Sequence, residues 1–229
     1  YIYPHKEIKN LKSKYSVSEI KHMSMEENED EASKVIAPER TKAVPRFRKG
    51  VDEEVKGTLR GTAYHRFFEI LNYDCCKDYN SIEEYLKTSV AAGKISEEYA
   101  GLINLKRFEE FLQTDLGKRM GSAYKKGLLF REQPFIMELG ADMIDKEYPS
   151  DEKILVQGIV DAFFFEDDKV YIVDYKTDRV EQGKAGEKAL VERYHKQLEL
   201  YADTISRVTG KETGGCYIYS TCLKKEILI

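Results

Sequence analysis

The hydrophobic and polar positions of the first half of the chain follow a helical period. In residues 61–71, apolar side chains recur at i, i+3, i+4 and i+7, which predicts an amphipathic helix. Residues 81–92 and 96–120 carry two further helical patterns, and Ser81 and Ser96 provide N-cap side chains for them. Three helices are therefore predicted in this part of the chain.

From residue 128 onward the period changes. Alternating or continuous apolar runs rich in β-formers predict strands at 128–139, 153–166, 169–177 and 214–221, and a stripe at helical spacing predicts a long helix at 187–208. The order is helices, three strands, helix, strand. This order predicts an α/β fold with a central sheet and helices packed on it.

Two regions near the N-terminus differ from the rest. Ser16 and Glu19 have the spacing of a capping box, which predicts the start of a helix. Residues 24–56 are polar and charged and contain Pro38 and Pro45, which predicts a linker or mobile loop. Within this region an acidic run, "EENEDE", precedes a basic stretch that is equally well explained as a phosphate-facing surface or as an ordinary exposed loop.

The composition restricts the class of protein. Hydrophobic residues make up 41% and charged residues 34% of the chain, as in a globular domain with a substantial core. No apolar run approaches the roughly 18 residues of a membrane span, so no membrane association is predicted. The 4 cysteines are too sparse for a disulfide scaffold, which favours reduced thiols in a cytoplasmic protein. A net charge of -4 argues against strong nucleic-acid binding by the isolated chain.

Two aspartates interrupt the apolar strands of "QGIVDAFFFEDDKVYIVDYKTD" (157–178). If Asp167 and Asp168 form the turn of a hairpin, the register places Asp161 directly opposite Asp174, with Cβ atoms about 4.5–5.5 Å apart. Like charges in this position are destabilising unless something neutralises them. A divalent cation with oxygen ligands would neutralise this pair.

Lys176 follows Asp174 by two residues, so the strand period places both on the same face. Two carboxylates and a lysine on adjacent strands are typical of metal-assisted phosphodiester hydrolysis. From the spacing alone, a second interpretation is about equally good. In it, the aspartates are solvated strand-end residues and the lysine is an exposed salt-bridge partner.

Several other polar residues are candidates for this site. His65 lies at the edge of the apolar stripe of its helix, where it is either partly buried or a nitrogen ligand for a metal. Gln197 and Tyr201 share a helix face, from which they could contact a phosphate or orient the lysine. The sequence leaves open whether Glu69 and Glu132 form salt bridges or face the substrate.

Four motifs occur in a fixed order along the chain: "GTAYHRF", "QGIVDAFF", "IVDYKTD" and "YHKQLELYA". Together they resemble the RecB-type branch of the PD-(D/E)XK nuclease superfamily. Its pattern is G-x-x-x-H, G-x-x-D, D/E-Y-K and Q-x-x-x-Y. Each motif is weak alone, but four in order are specific. The matching residues are Gly61, His65, Gly158, Asp161, Asp174, Tyr175, Lys176, Gln197 and Tyr201.

The resemblance implies a fold and a set of site residues. The fold would be restriction-endonuclease-like, a mixed central sheet flanked by helices, in a single domain over 1–229. The implied ligands of Mg2+ or Mn2+ are His65, Asp161, Asp174 and the backbone carbonyl of Tyr175. The implied catalytic residues are Asp161, Asp174 and Lys176, with Gln197 and Tyr201 in an accessory role.

The resemblance also implies a function and partners. The chain would be the exonuclease part of a longer helicase–nuclease in double-strand-break repair and recombination, acting on single-stranded DNA. Its partners would be the helicase region of the same full-length chain and an AddB-type subunit. This chain contains no G-x-x-x-x-G-K-[ST] loop, so it is not expected to bind ATP, and no iron–sulfur cluster is predicted on its cysteines. The alternatives are a catalytically silent DNA-guiding or partner-binding module and another RecB-type exonuclease.

Overall fold

A computed structural model describes residues 11–20, 49–143, 148–149 and 151–229. The helices are α1 (Lys49–Ile70), α2 (Tyr79–Ala91), α3 (Glu97–Leu102), α4 (Leu105–Gln113), α5 (Asp115–Lys125) and α6 (Lys184–Thr209). The strands are β1 (Lys14–Ser16), β2 (Leu129–Gly140), β3 (Lys153–Glu166), β4 (Lys169–Lys176), β5 (Glu212–Ser220) and β6 (Lys225–Leu228). None of the described helices is long and apolar enough to cross a membrane.

The predicted elements agree with the structure except in two regions and at one cap. The N-cap residue of α2 is Asp78 and not Ser81, which completes the capping box from the third helical position. The single helix predicted for 96–120 is wrong, because Asn104 and Thr114 cap new helices with their side chains and divide the segment into α3, α4 and α5. Most of the linker predicted at 24–56 lies outside the described residues, but its last part is helical, since α1 begins at Lys49. The capping box at Ser16 is confirmed by a 2.8 Å hydrogen bond from its backbone N–H to Glu19 Oε2.

The sheet is mixed, with the order β1-β3-β4-β5-β6 and with β2 paired to β3. Strand β3 is long enough to pair with three strands: antiparallel β2 occupies one edge, while parallel β1 and then antiparallel β4 share the other. Strands β4 and β5 are parallel, and α6 connects them. This confirms the predicted mixed α/β architecture with a central sheet flanked by helices.

Each face of the sheet packs against its own layer of helices. One hydrophobic cluster joins Leu190, Leu198 and Ile205 of α6 to the sheet residues Val156 and Ile172. The other joins the aromatic side chains of α1 and α4 to the opposite face. Its centre is the ring of Tyr175, which stacks on Phe68 with centroids 3.9 Å apart and an interplanar angle of 1°. Strand β4 therefore lies between two helical layers.

The hairpin between β3 and β4 has the predicted turn and register. Asp167 and Asp168 both have positive φ angles, 50° and 62°, as in the mirror-image turns that match the twist of paired strands. The ladder runs from Glu166, paired with Lys169, to Ala162, paired with Val173. Asp161 and Asp174 occupy the next positions, just beyond the last pair, so the predicted direct pairing of these two aspartates is not part of the ladder.

Candidate functional site

Asp161 lies where the alternation of β3 changes face. Val156 and Val160 belong to the cluster on the α6 side of the sheet, whereas Ala162 and Phe164 belong to the cluster on the other side. Since side chains of a regular strand alternate with period two, residues with even numbers should share one face. The shift therefore falls at Asp161. On that edge of β3, the pairing with β1 ends at Gln157 and that with β4 begins at Ala162, so Asp161 is in the gap.

The carboxylate of Asp161 joins a helix and a strand. Its Oδ2 accepts a 2.8 Å hydrogen bond from the Tyr175 backbone N–H and lies 3.3 Å from His65 Nδ1 on α1. Burial would raise the pKa of Asp161. However, the hydrogen bond and charge of His65, together with Lys176 and the Tyr175 N–H, outweigh burial and hold that pKa below its ordinary value. Asp161 is therefore an ionised carboxylate at the centre of the site.

His65 is the partner of Asp161 in this contact. Burial would lower its pKa, but the hydrogen bond and charge of Asp161 outweigh that effect and leave the pKa above its ordinary value. The imidazole also meets Tyr175 edge-on, with ring centroids 6.2 Å apart. His65 is thus fixed against β4, with its Nδ1 directed to the carboxylate.

The backbone carbonyl of Tyr175 faces the same region. The Thr221 N–H donates to the Lys176 carbonyl at 2.9 Å, so the polar backbone groups of Lys176 point toward β5. Successive residues of a strand direct these groups to opposite edges. Those of Tyr175 consequently point toward β3, as its N–H contact with Asp161 also requires.

Asp174 is buried completely, on the face that packs against α6. Its Oδ2 lies 2.6 Å from Lys176 Nζ, which confirms that the two side chains share a face. The contact is an ion pair without the angles of a hydrogen bond, so among the described residues Oδ2 has no directed donor. Burial raises the pKa of Asp174 to about 6, although the charge of Lys176 opposes the shift.

Lys176 also contacts an aromatic ring. Its Nζ lies 4.1 Å from the ring centroid of Tyr194 on α6, within the range of a cation–π contact. The Tyr194 hydroxyl donates to the carboxylate of Asp178 at 2.9 and 3.0 Å, and Arg193 pairs with the same carboxylate at 2.8 Å. The motif "DYKTD" thus supplies both the lysine and the carboxylate that orients its aromatic neighbour.

Gln197 and Tyr201 reach the site from α6, as their spacing predicts. Gln197 Nε2 donates to the Tyr201 hydroxyl at 2.9 Å and approaches Asp174 Oδ1 at 3.4 Å. Burial, followed by the charge of Asp174, raises the pKa of Tyr201 well above its ordinary value, so the phenol stays neutral. The amide therefore links the neutral phenol to the buried carboxylate.

Glu132 joins the site from β2. It has a positive φ of 48° and lies between the pairs Arg131–Ala162 and Gln133–Val160, which places it opposite Asp161. Among the described residues, one group of three potential ligand atoms lies within 4.8 Å of one another, and it comprises His65, Glu132 and Asp161. Burial, followed by the charge of Asp161, raises the pKa of Glu132 to about 7.

The donor set fits a hard divalent cation. Carboxylate oxygens, a carbonyl oxygen and one imidazole nitrogen are ligands that Mg2+ and Mn2+ accept. Asp174 Oδ2 is a buried acceptor that lacks a directed donor among the described residues. A cation would add a second positive charge beside this carboxylate, next to that of Lys176, and would favour the ionised form of Asp174, whose pKa burial has raised.

Sequence reasoning left some of these residues without a role. The role of Glu132 could not be predicted from the sequence. Its position opposite Asp161 depends on the register between β2 and β3, and the long connection between these strands means that local patterns do not determine that register. Glu69 pairs with Arg66 at 2.5 Å and does not belong to the three-residue group. Tyr194 and Asp178 lie within the quoted motifs, and their positions next to Lys176 could have been suspected from that proximity.

Comparison with known proteins identifies similar chains. A model of the PD-(D/E)XK nuclease superfamily matches residues 40–226. The chain is 34% identical over 96% of its length to the AddA-type ATP-dependent helicase/nuclease subunit of Clostridium perfringens strain SM101. It is 36% identical over 96% of its length to that of Thermoanaerobacter sp. strain X514, and 34% identical over its whole length to that of Clostridium beijerinckii. In each case the chain spans 18% of the relative's own length.

Proposed function

The chain belongs to the PD-(D/E)XK nuclease superfamily, and we propose that it is a metal-dependent nuclease domain that hydrolyses phosphodiester bonds of single-stranded DNA. The observation that carries the proposal is the ion pair of Lys176 and Asp174, next to a second carboxylate, Asp161, that contacts His65. Two buried carboxylates of different pKa beside a lysine are suited to charged chemistry and are costly as a purely structural device.

The residues take distinct roles in this reaction. His65, Asp161, Asp174 and the Tyr175 carbonyl hold Mg2+ or Mn2+, and Glu132 is placed to add a fourth side chain. A divalent cation supplies Lewis-acid stabilisation of the phosphate and a water of lowered pKa. Lys176 orients the attacking water or donates to a phosphate oxygen as negative charge develops.

The remaining residues position these groups. Gln197 holds Asp174 Oδ1 and is itself held by the Tyr201 hydroxyl, which fixes the carboxylate rotamer. Tyr194 holds the Lys176 ammonium through its ring face, in addition to the ion pair with Asp174. Because Tyr194 and Gln197 both lie on α6, small displacements of this helix would disturb the positions of Lys176 and Asp174.

We further propose that the chain works within a longer protein. The relatives are named as helicase/nuclease subunits, and each is several times longer than this chain. In that context a helicase region of the same full-length chain delivers single-stranded DNA, an AddB-type subunit is the partner, and the nuclease trims DNA ends as an exonuclease during double-strand-break repair and recombination.

Cleavage of an end-labelled single-stranded oligonucleotide tests the proposed reaction. Wild type and the variants Asp161→Ala, Asp174→Ala and Lys176→Ala are compared in Mg2+, in Mn2+ and in EDTA. Wild type should cut with either metal and not in EDTA, and each variant should lose at least about 100-fold in rate. Asp203→Asn, at an exposed position of α6, is the matched control and should cut like wild type.

Two results would contradict the proposal. Cleavage that persists in all three variants would show that another site, or a contaminant, is responsible. Tight DNA binding by wild type without cleavage in either metal, while calorimetry detects no metal binding, would favour the silent DNA-guiding module.

A further inference from the structure

A cavity of about 510 Å³ opens beside the end of β4, where Thr177 follows the proposed catalytic residue Lys176. Its walls include Arg60 of α1, Arg107 of α4, and Thr177 and Arg179 from the segment that follows β4. Thr177 is the residue directly after Lys176, so their Cα atoms are about 3.8 Å apart. The cavity is consequently a neighbour of the proposed reaction centre.

The cavity is strongly basic in a chain that carries a net charge of -4. Three arginines line it, and among the described residues that line it none is acidic. Arg179 is exposed and makes no hydrogen bond or ion pair with the described part of the chain. Positive charge gathered in one concave surface, of which only Arg107 has a carboxylate partner among the described residues, attracts anions.

The other two arginines are held only loosely by the protein. Arg60 donates to the Thr177 carbonyl at 3.4 Å, and Arg107 meets Glu110 at 3.4 Å. Glu110 has a shorter ion pair, 2.8 Å, with Lys224. Both guanidinium groups therefore keep donors for a further partner, and their planar fork matches two oxygens of a phosphate.

The residues that line the cavity also contact the backbone at Lys176. Thr221, which lines the cavity, donates to the Lys176 carbonyl through its N–H at 2.9 Å and through its hydroxyl at 3.3 Å. Gly61 of α1 lies so close that an added Cβ would be 3.3 Å from Thr177 Oγ1. A ligand in the cavity would thus be held at a fixed distance from Lys176.

We propose that this cavity, lined by Arg60, Arg107 and Arg179, binds a backbone phosphate of the DNA strand beside the linkage that is cut. The proposal rests on the proposed nuclease function, since it assigns the substrate's neighbouring phosphate to a place next to Lys176. It explains how a chain with an excess of acidic residues retains a polyanionic substrate. The site recognises the charge of the phosphate and has no preference for base sequence, because every nucleotide carries the same phosphate group.

The test uses the full 229-residue chain and oligothymidylate substrates of the shortest length that binds with full affinity, so that a shifted register loses contacts. In these substrates one phosphodiester at a time is replaced by an uncharged methylphosphonate. Affinity is measured by fluorescence anisotropy in EDTA, so that no cleavage occurs. Wild type should lose about tenfold in affinity when the linkage facing the cavity is neutral. Arg179→Gln should bind the unmodified strand about tenfold more weakly than wild type does. Its affinity should fall little further when the linkage that faces the cavity is neutral, because both changes remove the same contact.

Two further measurements accompany the scan. The slope of log affinity against log salt should be shallower by about 0.7 in Arg179→Gln, the value for one lost phosphate contact on a single strand. In Mg2+ or Mn2+, the variant should show a raised KM with an unchanged kcat. Arg207→Gln is the matched control, since Arg207 is an exposed arginine at the far end of α6 and should behave like wild type.

The proposal would be overturned if each neutral linkage reduced the affinity of Arg179→Gln by the same factor as that of wild type, because the effects of the two changes would then be additive. An unchanged KM and salt slope in both Arg179→Gln and Arg107→Gln would also overturn it. Absence of measurable binding by wild type at low salt would overturn it as well. These outcomes are separate from failure of the nuclease function, which would appear as binding in EDTA with no cleavage in any metal.

Discussion

Lys176 Nζ lies 2.6 Å from Asp174 Oδ2, and the two side chains are only 12% and 1% exposed. An ion pair this deeply buried contributes little net stability, because the cost of removing both charges from water offsets their attraction. Its loss is nevertheless expensive, since a single remaining charge has no partner. The pair therefore links the stability of the protein to its proposed chemistry.

Replacement of Lys176 by methionine should abolish cleavage and destabilise the metal-free protein. We expect at least about a 100-fold loss in rate and a loss of about 3 kcal/mol in the free energy of unfolding, because Asp174 is left buried and unpaired. Denaturant unfolding in EDTA measures the second effect. The double variant Asp174→Asn/Lys176→Met should recover stability without recovering activity.

The matched control for this prediction is Lys225→Met, which removes a lysine whose partner, Glu187, lies 2.9 Å away at the surface. That pair is exposed and screened, so its loss should cost no more than about 1 kcal/mol. Equal destabilisation by the two lysine variants would show that burial of Asp174 carries no special penalty.

Asp161→Asn should remove metal binding while it preserves the local fold. The asparagine oxygen can still accept from the Tyr175 N–H, but the site loses a negative charge that faces His65. Titration calorimetry with Mn2+ should detect binding to wild type and none to the variant. Glu132→Gln should weaken binding by about tenfold, because the site loses the charge of one of its potential ligands.

Glu138→Gln, an exposed position on the same strand as Glu132, provides the control for these titrations. It should bind Mn2+ like wild type. If Glu132→Gln matched this control, Glu132 would have no part in the metal site, and its position opposite Asp161 would be structural.

The stability of the metal-free protein should respond to pH through Glu132. Its pKa is raised from 4.5 in the unfolded chain to about 7 in the fold, chiefly by burial. Between these values the folded state retains a proton that the unfolded state has lost. The contribution to stability is therefore complete below the unfolded pKa and declines as pH rises through about 7.

Comparison with Glu132→Gln isolates this contribution, because all other titrating groups remain. Wild type should lose more stability than the variant between about pH 5 and pH 7.5, as measured by urea unfolding in EDTA. In Mn2+ the trend should reverse, since the metal competes with protons at Glu132 and at Asp174, whose pKa is about 6. Parallel pH profiles for the two proteins in EDTA would contradict the raised pKa.

Gly158→Ala should destabilise the protein near the site. A Cβ at this position would lie 2.8 Å from two ring carbons of Phe135 and 2.9 Å from a methyl carbon of Val17, so the packing must shift. We expect a loss of about 1–3 kcal/mol in the free energy of unfolding. Gly101→Ala is the control, because nothing lies within 4 Å of its Cβ. It should stabilise α3 by up to about 1 kcal/mol.

The sequence by itself determined most of the elements and the main hairpin, but not the short strands β1 and β6 or the division of residues 96–120 into three helices. Period and turn chemistry are local properties, so the bounds of β3 and β4 and the turn at Asp167–Asp168 could be predicted. The same register predicted Asp161 directly opposite Asp174, whereas the ladder of the structure ends one pair earlier, at Ala162 and Val173. Period two correctly placed Lys176 beside Asp174. The ordered motifs indicated His65, Gln197 and Tyr201, which the fold brings to the same region.

Only the tertiary structure decided which groups surround these residues. Glu132 reaches Asp161 because β2 pairs with β3 across a long connection and because its own φ is positive, and neither property follows from local periodicity. The arginines of the basic cavity come from α1, α4 and the segment after β4, which are distant in sequence. The raised pKa of Asp174 likewise depends on burial beneath α6. Long-range packing sets burial and proximity, and these determine charge states and a shared ligand site.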